Sequence, residues 1–246
     1  DKDCHRRRFK TKLIAMGMCG YDRVLIEPSG IFDMDEFFDA LHEEPLDRWY
    51  QIGNVIAVVD AGLDEKMSEE ADYILASEVA DAGCIVLSKT QEASEKSIEN
   101  TVKHLNRALK AVHCKRKFGE DEIIRKDWEQ FETEDFERIL NSGYIAEDYE
   151  KMSLDEKEVF KSLYFMNLEI SGKELRDAAQ KIMQDPACGS VFRIKGFTQE
   201  PDGSWTELNA THHEITQCPI AEGQKVIIVI GEQPDEEMIK KYFGTD

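Results

Sequence analysis

The sequence predicts an α/β protein: a parallel sheet with helices on both faces, followed by a smaller α+β domain. Three observations carry this prediction. Short apolar runs alternate with helically spaced segments in the first half, the rhythm changes near residue 150, and apolar and polar residues alternate in parts of the second half.

Three apolar runs in the first half are predicted to be buried parallel strands, at residues 24–26, 55–59 and 85–87. A segment with helical spacing follows each run, such as Phe37, Phe38 and Leu41 after the first. Strands that alternate with helices of this length favour right-handed parallel crossovers. The first half is therefore predicted to form one domain, residues 1–150, which ends in an acidic stretch of short helices.

The second half, residues 151–246, is predicted to form a separate domain of order β-α-β-β-β-α. Pro201, Asp202 and Gly203 predict a hairpin turn, and Pro234 predicts the start of the last helix. The predicted strands span residues 160–170, 191–197, 205–215 and 226–230, and the first helix spans 172–183.

Charge and hydropathy exclude two classes of partner. The 246 residues include 51 acidic and 31 basic ones, for a net charge of −20, which repels nucleic-acid phosphates and anionic lipid. The basic cluster at residues 5–12 is predicted to be the polar face of a first helix. No apolar stretch approaches the roughly 20 residues that span a bilayer. The sequence leaves the oligomeric state open.

The six cysteines are scattered and form no Cys-x-x-Cys pair. Cys84 opens an apolar run, where a buried free thiol is expected. This usage is typical of a reducing compartment and predicts a cytoplasmic protein.

Polar residues at the ends of the predicted strands mark a candidate ligand site. In open α/β sheets, ligands bind beyond the carboxyl ends of the strands. Glu27, Pro28, Ser29 and Gly30 end the first run and Asp60 ends the second. The third run ends in Ser88, Lys89, Thr90 and Gln91.

These three segments, in this order and spacing, resemble the latter part of a P-loop GTPase of the CobW type. That family includes cobalamin-synthesis and metal-insertion accessory proteins. Its strands end in Glu-x-Ser/Thr-Gly, in Val-Asp-Ala and in Asn-Lys-x-Asp. The phrases at residues 191–197 and 226–231 also resemble the family's C-terminal domain, so the resemblance covers essentially the whole sequence.

The resemblance implies GTP and Mg²⁺ as ligands and assigns roles to the strand ends. Glu27 would help to organise Mg²⁺ near the γ-phosphate, with Ser29 and Gly30 in the loop that follows. Ser88, Lys89 and Gln91 would contact guanine, with the aliphatic stem of Lys89 along the base. For Asp60 two roles stay open, capping the next helix or contacting the magnesium shell.

The sequence departs from the family pattern in two places. It contains no Gly-x-x-x-x-Gly-Lys-Ser/Thr loop, the element that holds the phosphates and Mg²⁺. Either an amino-terminal piece is missing or the protein is naturally degenerate. In addition, Gln91 stands where the family has an aspartate that accepts two hydrogen bonds from guanine. A neutral amide is predicted to weaken guanine selection by about 1–3 kcal/mol.

A transition-metal site is the least defined feature of the sequence. Cys4 and His5 offer soft ligands suited to zinc or cobalt, although the pair is equally open to a structural or incidental role.

Taken with the resemblance, these residues predict a cytoplasmic GTPase that uses GTP hydrolysis, in its complete form, to deliver a metal or metallocofactor to a client metalloprotein. The chain as it stands would lack activity if the phosphate loop is absent. The alternative is a non-hydrolysing scaffold or binding protein that kept the fold and lost that loop.

Overall fold

A computed structural model describes residues 2–28, 34–150 and 160–244, without the side chains of residues 2–6, 35, 36 and 120. The chain divides into two compact units, Asp1–Ser153 and Leu154–Asp246. The first contains a parallel sheet and the second an antiparallel one, so the predicted α/β class with an α+β second part is confirmed.

The first unit contains a three-stranded parallel sheet in the order β1-β2-β3. Single-turn 3₁₀ helices lie at Glu120–Glu122 and Trp128–Gln130. The helices and strands are α1 (Lys2–Met18), α2 (Met34–Leu41), α3 (Leu46–Trp49), β1 (Ile56–Asp60), α4 (Glu69–Ala80), β2 (Cys84–Ser88), α5 (Glu95–Ala111), β3 (Ile123–Ile124) and α6 (Thr133–Leu140).

The two crossover helices begin at serine caps. Ser68 Oγ accepts a hydrogen bond from Ala71 N at the start of α4, and Ser94 Oγ accepts one from Ser97 N at the start of α5. Each serine thereby satisfies a backbone donor that has no partner within the helix. The apolar face of α5 is buried, with Leu105 fully enclosed. Both crossovers match the predicted strand–helix alternation.

The predicted strand at residues 24–26 is wrong. These residues have no regular secondary structure, and Leu25 is 89% exposed. A strand needs a neighbour that accepts and donates its backbone hydrogen bonds. Within the described residues β1 lies at the edge of the sheet, and its Val58 side chain is 68% exposed. Residues 24–26 are therefore an apolar run without the backbone pairing that would make them a strand.

The second unit is a five-stranded antiparallel sheet in the order β4-β8-β5-β6-β7. A buried core joins the sheet to its two helices, with Leu175, Ile194 and Ile227 almost fully enclosed. Its elements are β4 (Phe160–Met166), α7 (Gly172–Gln184), a 3₁₀ turn (Pro186–Cys188), β5 (Ser190–Gln199), β6 (Trp205–Thr211), β7 (Ile215–Ile220), β8 (Val226–Glu232) and α8 (Glu236–Tyr242).

The second unit has one more strand than predicted, because the arm predicted over residues 205–215 is interrupted. Thr211 N donates to Glu214 O at 2.8 Å, and Glu214 N donates to Thr211 Oγ1 at 3.2 Å. This tight turn ends β6 and starts β7. The strand predicted over residues 160–170 also ends early, at Met166, and Asn167 adopts a left-handed φ of 57°.

None of the helices in the described ranges has the length and hydropathy needed to span a bilayer.

Candidate functional site

The carboxyl ends of β1 and β2 lie side by side, because the two strands are parallel and in register. Asp60 is the partner of Ser88 in the ladder. The pairing continues one residue beyond β1, where Ala61 N donates to Ser88 O at 2.9 Å. The second and third of the three predicted strand ends therefore form one rim, as expected for ligand sites in parallel sheets.

Asp60 lies at the centre of this rim and uses both carboxylate oxygens. Its Oδ1 accepts a hydrogen bond from Gly62 N at 2.8 Å, and its Oδ2 accepts one from Lys89 Nζ at 2.8 Å. The proposed capping role is wrong, because Ser68 caps α4. Asp60 instead fixes the first turn after β1 and pairs with a cation from the neighbouring strand.

The segment after β2 turns sharply at Lys89. Its φ of 56° is in the left-handed region, which costs a residue with a Cβ about 1–2 kcal/mol. Lys89 O accepts a hydrogen bond from Glu92 N at 3.0 Å, which closes the turn. Strain of this kind recurs at functional sites, where the surrounding structure holds it in place.

The two residues that follow Lys89 differ in their surroundings. Thr90 Oγ1 is buried and has no hydrogen-bond partner among the described residues. Gln91 is exposed, so its amide is open to solvent. A buried hydroxyl without a partner costs stability unless a ligand or water satisfies it.

A polar stripe on α5 holds the loop that leaves Asp60. Thr101 is fully buried, and its Oγ1 donates to Ala61 O at 2.9 Å. His104 is 2% exposed, with Nδ1 at 2.8 Å from Asp64 O and Nε2 at 2.6 Å from Asp72 Oδ1. The loop is thereby attached to α5, and α5 is attached to α4.

The same stripe extends to both ends of the loop. Ser97 Oγ lies 3.4 Å from Ala61 O, and Arg107 Nη2 donates to Glu65 O at 2.7 Å. Sequence reasoning missed these residues. The available signal was the helical spacing of polar residues 97, 101 and 104 beside the apolar positions of α5.

Within the described residues, the first predicted strand end, which starts at Glu27, is not part of the rim. Glu27 lies in an irregular segment and is exposed. Ser29 and Gly30 lie outside the described residues. Their predicted roles therefore stay predictions.

The described residues do not provide a metal site. No group of three or more His, Cys, Asp or Glu side chains among them is arranged to hold a metal ion. Asp60, which was considered for the magnesium shell, already accepts hydrogen bonds from a lysine and a backbone amide. Cys4 and His5 lie in α1, with side chains outside the description. We therefore assign no step to Mg²⁺, zinc or cobalt.

Comparison with protein families finds a match to the first part of the chain. The family described as CobW/HypB/UreG, nucleotide-binding domain, matches residues 4–118. Residues 4–118 are therefore similar to the nucleotide-binding domain of that family. The match includes β1, β2 and the rim between them, so the three strand ends that resemble the CobW pattern all lie within the matched residues.

Two solved structures were also found. One is the Zn(II)-bound YjiA GTPase from E. coli, with 17% identity and a TM-score of 0.32, and the chain spans 65% of its length. The other is a Zn(II)-bound triple mutant of the YjiA GTPase, with 16% identity, a TM-score of 0.31 and the same 65%. Each alignment covers 86% of this chain. No curated protein matches the sequence.

Proposed function

We propose that the chain is the nucleotide-binding part of a GTPase in which the rim between β1 and β2 contacts the guanine base. The observation that carries the proposal is the register of Asp60 with Ser88, which puts the ends of two strands of a CobW/HypB/UreG domain at one edge. Ligands of parallel sheets bind at such an edge.

In this proposal Ser88, Lys89 and Gln91 form the base site. Lys89 lays its methylene stem along the face of the guanine ring. The exposed Gln91 amide accepts one hydrogen bond from the base. The buried, unpartnered hydroxyl of Thr90 supports a ligand-binding role for this turn, since an orphaned polar atom is costly in the absence of a ligand.

The proposed reaction is transfer of the γ-phosphoryl group of GTP to water. Catalysis of this reaction consists largely of positioning and charge stabilisation. Glu27, followed by Ser29 and Gly30, is the segment proposed to lie near the γ-phosphate, on the strength of the CobW-type sequence pattern. Delivery of a metal or metallocofactor to a client metalloprotein is proposed from the family alone.

The experiment that tests this function compares GTP and ATP hydrolysis by the full-length protein and by its Glu27→Ala variant. We expect phosphate release from GTP that is faster than from ATP and is reduced by about 10²- to 10³-fold by the substitution, the range for removal of one group that stabilises charge in the transition state. Wild-type rates in the variant would refute the role of Glu27, and absence of both hydrolysis and guanine-nucleotide binding would refute the function.

A second candidate function is a nucleotide-binding scaffold that does not hydrolyse GTP. Two departures from the family pattern favour this candidate. The sequence shows no Gly-x-x-x-x-Gly-Lys-Ser/Thr loop to hold the phosphates, and Gln91 replaces the aspartate that binds guanine. Saturable GDP binding without phosphate release from GTP would support the scaffold and exclude the GTPase.

A further inference from the structure

The ion pair between Lys89 and Asp60 lies at the surface of the rim. Lys89 Nζ is 2.8 Å from Asp60 Oδ2, and the two side chains are 42% and 32% exposed. A ligand can therefore reach the lysine stem, although the ammonium group is held by the carboxylate. The pair joins the end of β1 to the turn after β2.

Asp60 is the more rigid partner of the two. Its backbone is paired within the sheet, and its Oδ1 is fixed by the amide of Gly62. The following residue, Ala61, is tied at its carbonyl to the buried Thr101 hydroxyl. Lys89, by contrast, lies in a turn, and its stem has four rotatable bonds. The carboxylate therefore sets the position of the ammonium group rather than the reverse.

We propose that Asp60 is the positioning residue that holds the Lys89 stem in place as one wall of the nucleotide-base site. This inference rests on the proposed function. An unrestrained lysine loses side-chain entropy when a ligand immobilises it. Because Asp60 holds the far end of the stem before the nucleotide arrives, part of this loss is incurred on folding, and binding is stronger.

The left-handed backbone of Lys89 fits the same assignment. A φ of 56° is unfavourable for lysine, whereas glycine would adopt it without strain. The turn alone therefore gives no reason for a long basic side chain at this position. The geometry of the Asp60 contact and the apolar stem supply that reason.

The test is a double-mutant cycle on GDP binding, measured by isothermal titration calorimetry of the full chain. Asp60→Asn keeps an oxygen for the Gly62 amide and removes the charge. Lys89→Met keeps an unbranched stem and removes the ammonium group. We expect each single variant to weaken GDP binding by about 3- to 10-fold. This range is the entropy loss of a partly immobilised side chain, expressed as a ratio of dissociation constants.

The double variant is expected to bind GDP no more weakly than the weaker single variant, because either substitution already releases the stem. A structural role would instead lower the thermal unfolding temperature in proportion to the loss of binding, so unfolding is measured for each protein. Glu169→Gln is the matched control. It removes an ion pair with Lys225, of 2.7 Å, in the second unit and is expected to leave GDP binding unchanged.

The outcomes separate this inference from the proposed function. Wild-type GDP affinity in Asp60→Asn, or additive losses in the double variant, would overturn the positioning role and leave guanine binding intact. Failure of the wild-type chain to bind GDP at millimolar concentration would overturn both.

Discussion

His104 Nε2 and Asp72 Oδ1 lie 2.6 Å apart, and this contact joins α5 to α4. The other ring nitrogen, Nδ1, lies 2.8 Å from Asp64 O in the loop that follows Asp60. One buried side chain thus connects both crossover helices and the loop at the rim. The loop that leaves the rim at Asp60 is attached to both helices through this connection.

Replacing His104 is therefore expected to destabilise the first unit. His104→Ala leaves the Asp72 carboxylate and the Asp64 carbonyl without this partner, for a loss of about 2–4 kcal/mol in the free energy of unfolding. Urea denaturation followed by circular dichroism measures the loss. Lys103→Ala changes the neighbouring residue, whose side chain is 72% exposed, and serves as the control. Equal stability of the two variants would contradict the role given to His104.

Restoring the carboxylate of the CobW-type pattern at position 91 is expected to strengthen guanine binding. An aspartate accepts two hydrogen bonds from guanine, whereas an amide pairs one acceptor with a donor. Gln91→Asp should raise the affinity for GDP relative to ADP by about 5- to 150-fold, the equivalent of 1–3 kcal/mol. Competition of GDP, ADP and XDP for a fluorescent nucleotide measures the change. An unchanged preference would mean that residue 91 does not contact the base.

A carboxyl on α4 makes the stability of the first unit depend on pH. Burial raises the pKa of Glu78 from its ordinary value of 4.5 to about 8. The folded state therefore holds this proton more tightly than the unfolded state. The resulting stability is fully present below pH 4.5 and is lost as the pH rises through about 8.

Glu78→Gln removes this dependence. We expect the variant and the wild type to unfold with similar free energies at pH 4.5, and the variant to be more stable by about 3–5 kcal/mol at pH 9. Urea denaturation across this pH range measures the difference in the free energy of unfolding between the variant and the wild type. The other carboxyl groups contribute equally to both proteins, so their contributions cancel. A constant difference at all pH values would contradict the raised pKa.

The described cysteines should divide sharply in their reactivity. Cys19 and Cys218 are exposed, whereas Cys84, Cys114 and Cys188 are buried. Burial raises the pKa of Cys188 to about 11, helped by Asp185 and Asp235, and also raises the pKa of Cys114. Because the thiolate is the reactive form, these buried thiols should react slowly.

Iodoacetamide labelling at pH 8, followed by peptide mass spectrometry, checks this division. The experiment uses the Cys4→Ser variant, because the side chain of Cys4 is not among those that the structure describes. Rapid modification is expected at Cys19 and Cys218 alone, and at all five remaining cysteines in urea. Fast labelling of Cys188 in the folded protein would contradict its burial.

The sequence predicts which strand ends form the rim, but not the side-chain contacts made there. Parallel strands that end in polar residues align at one edge, so the meeting of Asp60 with Ser88 follows from the strand pattern. The Lys89–Asp60 pair does not follow, because it depends on a left-handed turn at Lys89. The polar stripe that includes Thr101 and His104 was missed because helical periodicity does not tell which polar residues are buried.

Each of the two errors in the predicted strands has its own physical cause. An apolar run shows that residues avoid water, but pairing also needs a neighbouring strand, and residues 24–26 have none among the described residues. The continuous arm predicted over residues 205–215 failed because Thr211 and Glu214 close a turn through side-chain and backbone hydrogen bonds. Neither residue type marks a turn as strongly as glycine or proline does.

Hydrogen exchange of the full chain, with and without GDP, tests the central claim most directly. Guanine binding at the rim predicts slower amide exchange in residues 60–65 and 88–94 when GDP is added, and a weaker effect with ADP at the same concentration. Unchanged exchange in both segments, or equal protection by ADP, would contradict a guanine-nucleotide site between β1 and β2.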